Sequence, residues 1–286
     1  MMPLAANGRG ALFALVSTGL YVAVGIIVRL LSGQIDLFEI LLFRQSVLLL
    51  VLLPALWLGG HTLFQPKRID LHALRVLGAF AALSLSYLTV SNLPLADATA
   101  LGFTQVLFVA LISRITLKEP VTRQRWLVIA VGFIGVALIV QPQFDHGANL
   151  YLATGLIAAL CTAVAVLCVK RLTLEAESGT NILAYQAIFV AVLAAPLALL
   201  NWQWPTNQQL PLLLAVGGLS AIAQWFALQA YKRGEANVVA NVEYARILYA
   251  IGFGYLLFAE VPNLLAQVGV AILIGSALLP WWWQRQ

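Results

Sequence analysis

The chain runs as a succession of long apolar stretches, interrupted at short intervals by polar, charged or proline-bearing punctuation. A helix that crosses about 30 Å of hydrocarbon needs ~20 mainly apolar residues. Ten such segments are predicted, at 10–31, 38–58, 71–91, 97–117, 126–141, 150–170, 181–200, 210–231, 236–257 and 264–283. The connections hold most of the Pro, Asn and charge, as in Gln65-Pro66-Lys67-Arg68, Gln141-Pro142-Gln143 and Trp204-Pro205-Thr206-Asn207. No long linker, low-complexity stretch or appended soluble domain breaks the rhythm. The run from Gly10 to Leu31 is too long for the apolar core of a signal peptide and is followed by further spans, so it is read as an uncleaved first helix. The fold class that follows is an all-α integral membrane protein with ten transmembrane helices.

Composition agrees with this pattern. Hydrophobic residues make up 62% of the 286 positions and charged residues only 9%, against about 25% in a soluble domain. Too little polar surface exists to cover a water-soluble globule. The net charge of +5 therefore reads as cations retained on one side of a membrane, not as a nucleic-acid surface. With the N-terminus in the cytoplasm, thirteen of the 16 Lys and Arg residues fall at cytoplasmic ends or loops. They are Arg9, Lys67, Arg68, Arg75, Arg114, Lys118, Arg123, Arg125, Lys170, Arg171, Lys232, Arg233 and Arg285. The outer loops carry Asp36, Asp145 and His146 instead. This bias predicts cytoplasmic N- and C-termini and a plasma (inner) membrane location. Trp57, Trp126 and Trp281 to Trp283 fall at inner boundaries and Trp202 and Trp204 at an outer one, forming an aromatic belt.

The chain also repeats itself. Ala96 to Glu119 matches Asn237 to Glu260, 141 positions later. Each copy is an apolar helix closing on an acidic residue (Leu117-Lys118-Glu119, Phe258-Ala259-Glu260). A turn with Pro120 or Pro262 follows, and then a glycine-bearing apolar helix. Five helices per copy is an odd number, so the second copy enters the membrane from the opposite side. The predicted organisation is two inverted five-helix repeats, 10–141 (helices 1–5) and 150–284 (helices 6–10). Inverted repeats are a transporter signature, with the substrate site near the midplane where the halves meet.

These motifs resemble the drug/metabolite transporter superfamily, specifically transporters with two EamA repeats, over nearly the whole chain. Leu42-Phe43-Arg44 is similar to that family's second-helix signature, and Leu117-Lys118-Glu119-Pro120 to the ending of its fourth helix. Asn241-Val242-Glu243-Tyr244, running on to Leu257-Phe258-Ala259-Glu260, resembles a ninth-helix pattern with Asn241 in place of the usual Pro and Ala259 in place of the usual Gly. The resemblance implies a cavity lined mostly by helices 1, 3, 4, 6, 8 and 9. It also implies a substrate that is an amino acid or derivative for export, or a nucleoside-like or vitamin-like compound for uptake.

Charged groups inside a span cost about 2.5–3.5 kcal/mol on insertion scales, so each needs a reason. Arg246 lies near the middle of the ninth helix with Glu243 one turn before it, within pairing distance. The pair either locks helices or lines the cavity and contacts a substrate carboxylate or phosphate. Gln105 is the repeat mate of Arg246 at the 141-residue shift. Tyr87, Trp225, Tyr244, Asn241 and Tyr21 are candidates for a stacking wall around an amphipathic ligand, with helix packing as the alternative. Arg44 and Glu39 read as a structural clamp, Arg29 as a residue that snorkels to the surface, and Glu119 and Glu260 as architectural helix-end acids. Glu39, Glu243 and Asp97 are the candidates for proton coupling.

No phosphate-binding loop of the G-x-x-x-x-G-K-[ST] type appears, so a gradient, not ATP, would supply the driving force. His61, His72 and His146 sit in loops or at helix ends without metal-ligand spacing, Cys161 and Cys168 read as packing residues, and no cofactor or metal is predicted. The expected function is a secondary transporter exporting a small amphipathic metabolite such as an amino acid or derivative. The competing readings are an uptake carrier for a nucleoside-like or vitamin-like compound and a membrane scaffold that moves nothing. An enzyme ranks last because no catalytic constellation can be assembled.

Overall fold

The computed structural model describes residues 4–63, 66–116, 123–140, 146–234, 239, 242, 245–259 and 263–283. Among these, ten helices follow one another: α1 (Leu4–Leu31), α2 (Leu37–Leu63), α3 (Ile69–Asn92), α4 (Leu95–Thr116), α5 (Arg123–Val140), α6 (His146–Leu174), α7 (Gly179–Leu200), α8 (Gln209–Arg233), α9 (Ala245–Phe258) and α10 (Leu264–Trp283). No strand occurs among the described residues. Seven of the helices, α1–α4 and α6–α8, are long and apolar enough to cross a bilayer. The described part of α9 is 14 residues, or roughly 21 Å at 1.5 Å per residue, which is shorter than a full crossing.

The helices are apolar on all sides, as lipid contact requires. Trp57 is 90% exposed and Leu256 73% exposed, yet both belong to apolar helices. Hydrophobic burial therefore does not choose which faces meet; close packing of small residues and internal polar contacts do. α1 lies along α8, α3 along α6, α2 along α7 and α5 along α10, with α4 also against α6 and α9 against α4 and α1. Two close approaches depend on glycine. A methyl group on Gly217 of α8 would overlap Val47 of α2. One on Gly10 of α1 would lie 2.8 Å from the Cα of Gly234, just past the end of α8.

Turn chemistry fixes two helix ends. α6 ends where Ala176 takes the left-handed conformation (φ 56°). The Glu177 amide then bonds the Leu172 carbonyl at 3.0 Å, the bond that closes a Schellman turn. Ala259, immediately after α9, also has φ 52°. A Cβ is unfavourable in that region, which explains why the similar ninth-helix pattern has Gly there.

Candidate substrate cavity

A cavity of about 290 Å³ lies between the helices, lined from α1, α2, α3, α4, α6, α7, α8 and α9. Its wall on α3 is the stripe Arg75, Ala79, Ala82, Leu83, Ser86 and Val90, with Tyr87 and Thr89 beside it. That spacing is one face of a 3.6-residue helix, made mostly of small side chains that leave room for a ligand. The α8 wall is Gln224, Ala227, Leu228 and Tyr231, again spaced as one helical face.

Among the described residues, the charge of the lining is one-sided: Arg44, Arg75 and Arg246 border the cavity, and no described Asp or Glu does. Arg75 is the main revision to the sequence reading, which placed it among the cytoplasmic cations. It is 4% exposed, and its Nη2 donates to Gln186 Oε1 at 2.7 Å while its Nη1 donates to the Ile182 carbonyl. Both acceptors are neutral, so the guanidinium is held in place but keeps its charge.

Of the residues expected to contact substrate, Tyr21, Tyr87, Gln105 and Arg246 line this one space. Trp225 does not. It is 48% exposed on the side of α8 next to the lining stripe, packed edge-on against Phe13 and Phe226. One residue along a helix is a rotation of about 100°, so the neighbouring Gln224 occupies the lining position. Glu243, Tyr244, Asn241, Glu119 and Glu260 lie outside the residues whose side chains are described. Asp97 is half-buried in the first turn of α4 and is not part of the cavity wall. Arg29 stacks over the Phe258 ring, 4.4 Å from its centroid.

Arg44 and Glu39 make separate contacts. Glu39 is fully buried, and its Oε2 accepts the Gln203 amide at 3.3 Å. Arg44 is 2% exposed and faces the Tyr87 phenol. Gln45, Gln186 and Ser17 are further buried polar residues that sequence reasoning passed over. Ser17 Oγ donates to the Ala223 carbonyl at 2.9 Å, tying α1 to α8.

A second polar cluster closes one end of the bundle. The α2–α3 turn and the α6–α7 turn meet there. The Lys67 amide donates to Glu177 Oε2 at 3.0 Å, and Lys67 Nζ to the carbonyls of Glu175 and Ala176. Arg68 bridges Asp70 and Glu175 at 2.6 and 3.0 Å. His72, placed at a helix end by its sequence context, is 2% exposed with Nε2 3.7 Å from Glu177 Oε2, and its ring lies on Tyr185. Burial raises the Glu177 carboxyl, but the Lys67 amide, Asn181 and His72 outweigh it and hold the group below its ordinary value. The opposite end is joined by neutral contacts, such as Gln209 Nε2 to Gln34 Oε1 at 3.2 Å. Among the described residues no group of three His, Cys, Asp or Glu side chains is arranged to hold a metal ion.

The model of the EamA-like transporter family matches residues 8–141 and again 149–281. The chain is 28% identical over 250 residues to the S-adenosylmethionine uptake transporter of Rickettsia felis, covering 87% of this chain and 84% of that protein. It is 28% identical over 273 residues to the pseudopaline exporter CntI of Pseudomonas aeruginosa, covering 94% of each. It is 30% identical over 246 residues to a riboflavin transporter of Brucella anthropi, covering 84% of this chain and 86% of that protein. A solved crystal structure shares the fold at a TM-score of 0.75 with 16% identity, covering 98% of each chain. These relatives are transporters, not enzymes. The chain is a multi-pass membrane protein and belongs to the EamA-like transporter family.

Proposed function

We propose that the protein is a secondary transporter that exports a small, amphipathic, carboxylate-bearing metabolite, such as an amino acid or derivative, across a bacterial inner membrane. The observation that carries this reading is the cavity lining, which among the described residues has three guanidiniums, no carboxylate and the aromatic rings of Tyr21, Tyr87 and Tyr231. In a low-dielectric setting such a lining favours an anion and disfavours a net cation. The volume of about 290 Å³ is at the small end of ligand pockets, which run from ~300 to ~1,000 Å³. A scaffold that moved nothing would have this space filled with apolar side chains.

The architecture in this reading is ten transmembrane helices in two inverted repeats, 10–141 and 150–284. The packing pattern supports it. If each helix is exchanged for the one five places along, the α1–α8 pair becomes α6–α3, and α2–α7 and α5–α10 map onto themselves; all are packed pairs in the fold. Gln105 and Arg246, matched by the 141-residue shift, both border the cavity. Cytoplasmic termini are supported by charge, since Lys67, Arg68, Arg171, Lys232 and Arg233 gather at the end where α1 begins. The halves would rock about the cavity to expose it alternately.

Relatives named for export and for uptake make direction the finer question. Export follows the pseudopaline exporter, which matches over 94% of both chains. The competing uptake reading, for a nucleoside-like or vitamin-like compound, draws on the relatives named for S-adenosylmethionine and riboflavin. The sulfonium cation of S-adenosylmethionine is poorly matched to three arginines. The test is a metabolite comparison of medium and cytosol between cells overexpressing the intact chain and cells expressing Arg246→Ala at equal level. A carboxylate enriched in the medium only with the intact chain supports export and names the cargo. Enrichment in the cytosol supports uptake, and identical pools for the two chains refute the reading.

A further inference from the structure

We infer that Arg44 and Tyr87 form the subsite that receives the substrate's carboxylate, an inference that rests on the transport reading above and locates its anion.

Arg44 is 2% exposed and borders the cavity, and its Nε and Nη1 atoms, which carry three N–H bonds, have no hydrogen-bond partner. Tyr87, 6% exposed, borders the same space beside Arg44, and its hydroxyl makes no well-aligned hydrogen bond there. Buried N–H groups of a cation are rarely left unused, because desolvation without a partner is unfavourable. The buried and half-buried arginines nearer the charged end of the bundle show what a structural arginine does here. Arg75 spends its donors on Ile182 and Gln186, and Arg68 on Asp70 and Glu175. Nε and Nη1 of Arg44 have no such acceptors, and the acid on its own helix, Glu39, turns its Oε2 to the Gln203 amide instead. A planar oxyanion accepting from one edge of the guanidinium and from the phenol takes up donors that otherwise lack an acceptor.

The position also suits transport. Tyr87 lies twelve residues beyond Arg75 along α3, or roughly 18 Å at 1.5 Å per residue. The unsatisfied cation therefore stands toward the end of the cavity opposite the Lys67–Glu177 cluster, in the part of the membrane proposed to face outward.

The test uses purified full-length protein in detergent and measures thermal unfolding midpoints with three acids, phenylacetate, indole-3-acetate and hexanoate, each paired with its amide. The intact chain and the surface variant Trp57→Phe are expected to be stabilised by at least one acid and not by its amide. Arg44→Gln should weaken that binding about tenfold or more, the usual loss for a charge-assisted hydrogen bond. Tyr87→Phe should weaken it severalfold, and Arg44→Lys should keep the acid-over-amide preference at reduced affinity. Variants that melt normally without ligand but bind as the intact chain does would overturn the subsite. If Arg44→Gln does not fold, Tyr87→Phe and Arg44→Lys decide by the same criterion. Unchanged binding in these variants with loss in Arg246→Gln would move the carboxylate to Arg246 and leave the transport reading standing. Amides that bind as tightly as acids to the intact chain, or no saturable binding of any acid, would refute the carboxylate reading and the subsite with it.

Discussion

Gly217→Ala is the sharpest available test of how the two halves of the chain are joined. Gly217 is buried on α8 against Val47 of α2. A methyl at 217 would overlap the Val47 Cβ and lie 2.7 Å from its Cγ2 and 2.9 Å from its Cγ1. Carbon atoms pack best at about 3.5–4.0 Å, so the helices must separate locally by roughly 1 Å. Rotating Val47 gives no relief, because the atom struck most closely is its Cβ, which moves only with the backbone. The neighbouring core of Leu48, Ala187 and Ala221 would open along with it. Overpacking of this kind typically costs about 1–3 kcal/mol. The assay is thermal or denaturant unfolding of the purified variant in detergent, run as a double-mutant cycle with Val47→Gly. Val47→Gly alone should also destabilise, through lost packing and about 1 kcal/mol of helix propensity. The double variant should be more stable than the sum of the two, by a coupling of about 1–3 kcal/mol. An unchanged midpoint for Gly217→Ala, or a coupling near zero, would refute the close approach of α2 and α8.

Three further outcomes follow from the fold. Arg75→Met leaves the Ile182 carbonyl and Gln186 without their donor, a loss of about 1–3 kcal/mol; it should lower the unfolding midpoint and abolish transport in proteoliposomes, and wild-type flux would exclude Arg75 from the cavity wall. Because the Glu177 carboxyl is held below its ordinary value in the folded chain, it contributes stability that is full above pH ~4.5 and is lost as pH falls through the folded value. Glu177→Gln should remove that acid-side decline, and an identical pH profile would refute the interaction. For orientation, single cysteines at the exposed positions Ser178 and Asn201 should label with an impermeant maleimide from the cytoplasmic and the outer side respectively; the reverse pattern would invert the proposed topology.

The helices were legible because the bilayer imposes a length and because the punctuation between spans is chemically distinct. The segments expected at 38–58 and 126–141 appear as Leu37–Leu63 and Arg123–Val140. Arg75 was not legible, for a physical reason. It follows Lys67 and Arg68 by less than three helical turns and so looked like one more cation on the cytoplasmic side. Lipid-facing and protein-facing sides of a membrane helix are equally apolar, so no periodic signal separates them. Only the approach of α7, which brings Ile182 and Gln186 to the guanidinium, reveals the burial. Trp225 failed in the opposite direction. A mid-span indole suggests a ligand wall, but the polar signal on that helix was Gln224, which shares its face with Ala227, Leu228 and Tyr231. Arg44 was recognised as unusual, yet its role depended on where Glu39 turns, and the α7–α8 connection that supplies the Gln203 amide lies 164 residues away in sequence.

In the alternating carrier proposed above, contacts between the halves must divide into those that break and those that persist, and their chemistry separates them. At the proposed cytoplasmic end, the ties between turns are polar and mostly within reach of water, including the half-buried pair of Arg68 with Glu175 and the exposed bonds of Lys67 to the Glu175 and Ala176 carbonyls, above the buried His72–Glu177 contact. Exposed pairs are each worth about 0–1 kcal/mol, so a few of them can open thermally once water replaces the partner. The contacts at Gly217–Val47 and Ser17–Ala223 are different. They are dry, close and without a replacement partner in lipid, so breaking them would expose backbone or leave a void. In such a carrier, rocking would pivot on the α2–α8 and α1–α8 seams and open where Lys67, Arg68 and Glu177 meet. Disrupting the cluster should shift which side of the membrane the cavity faces, whereas filling the seam should lower the stability of the protein.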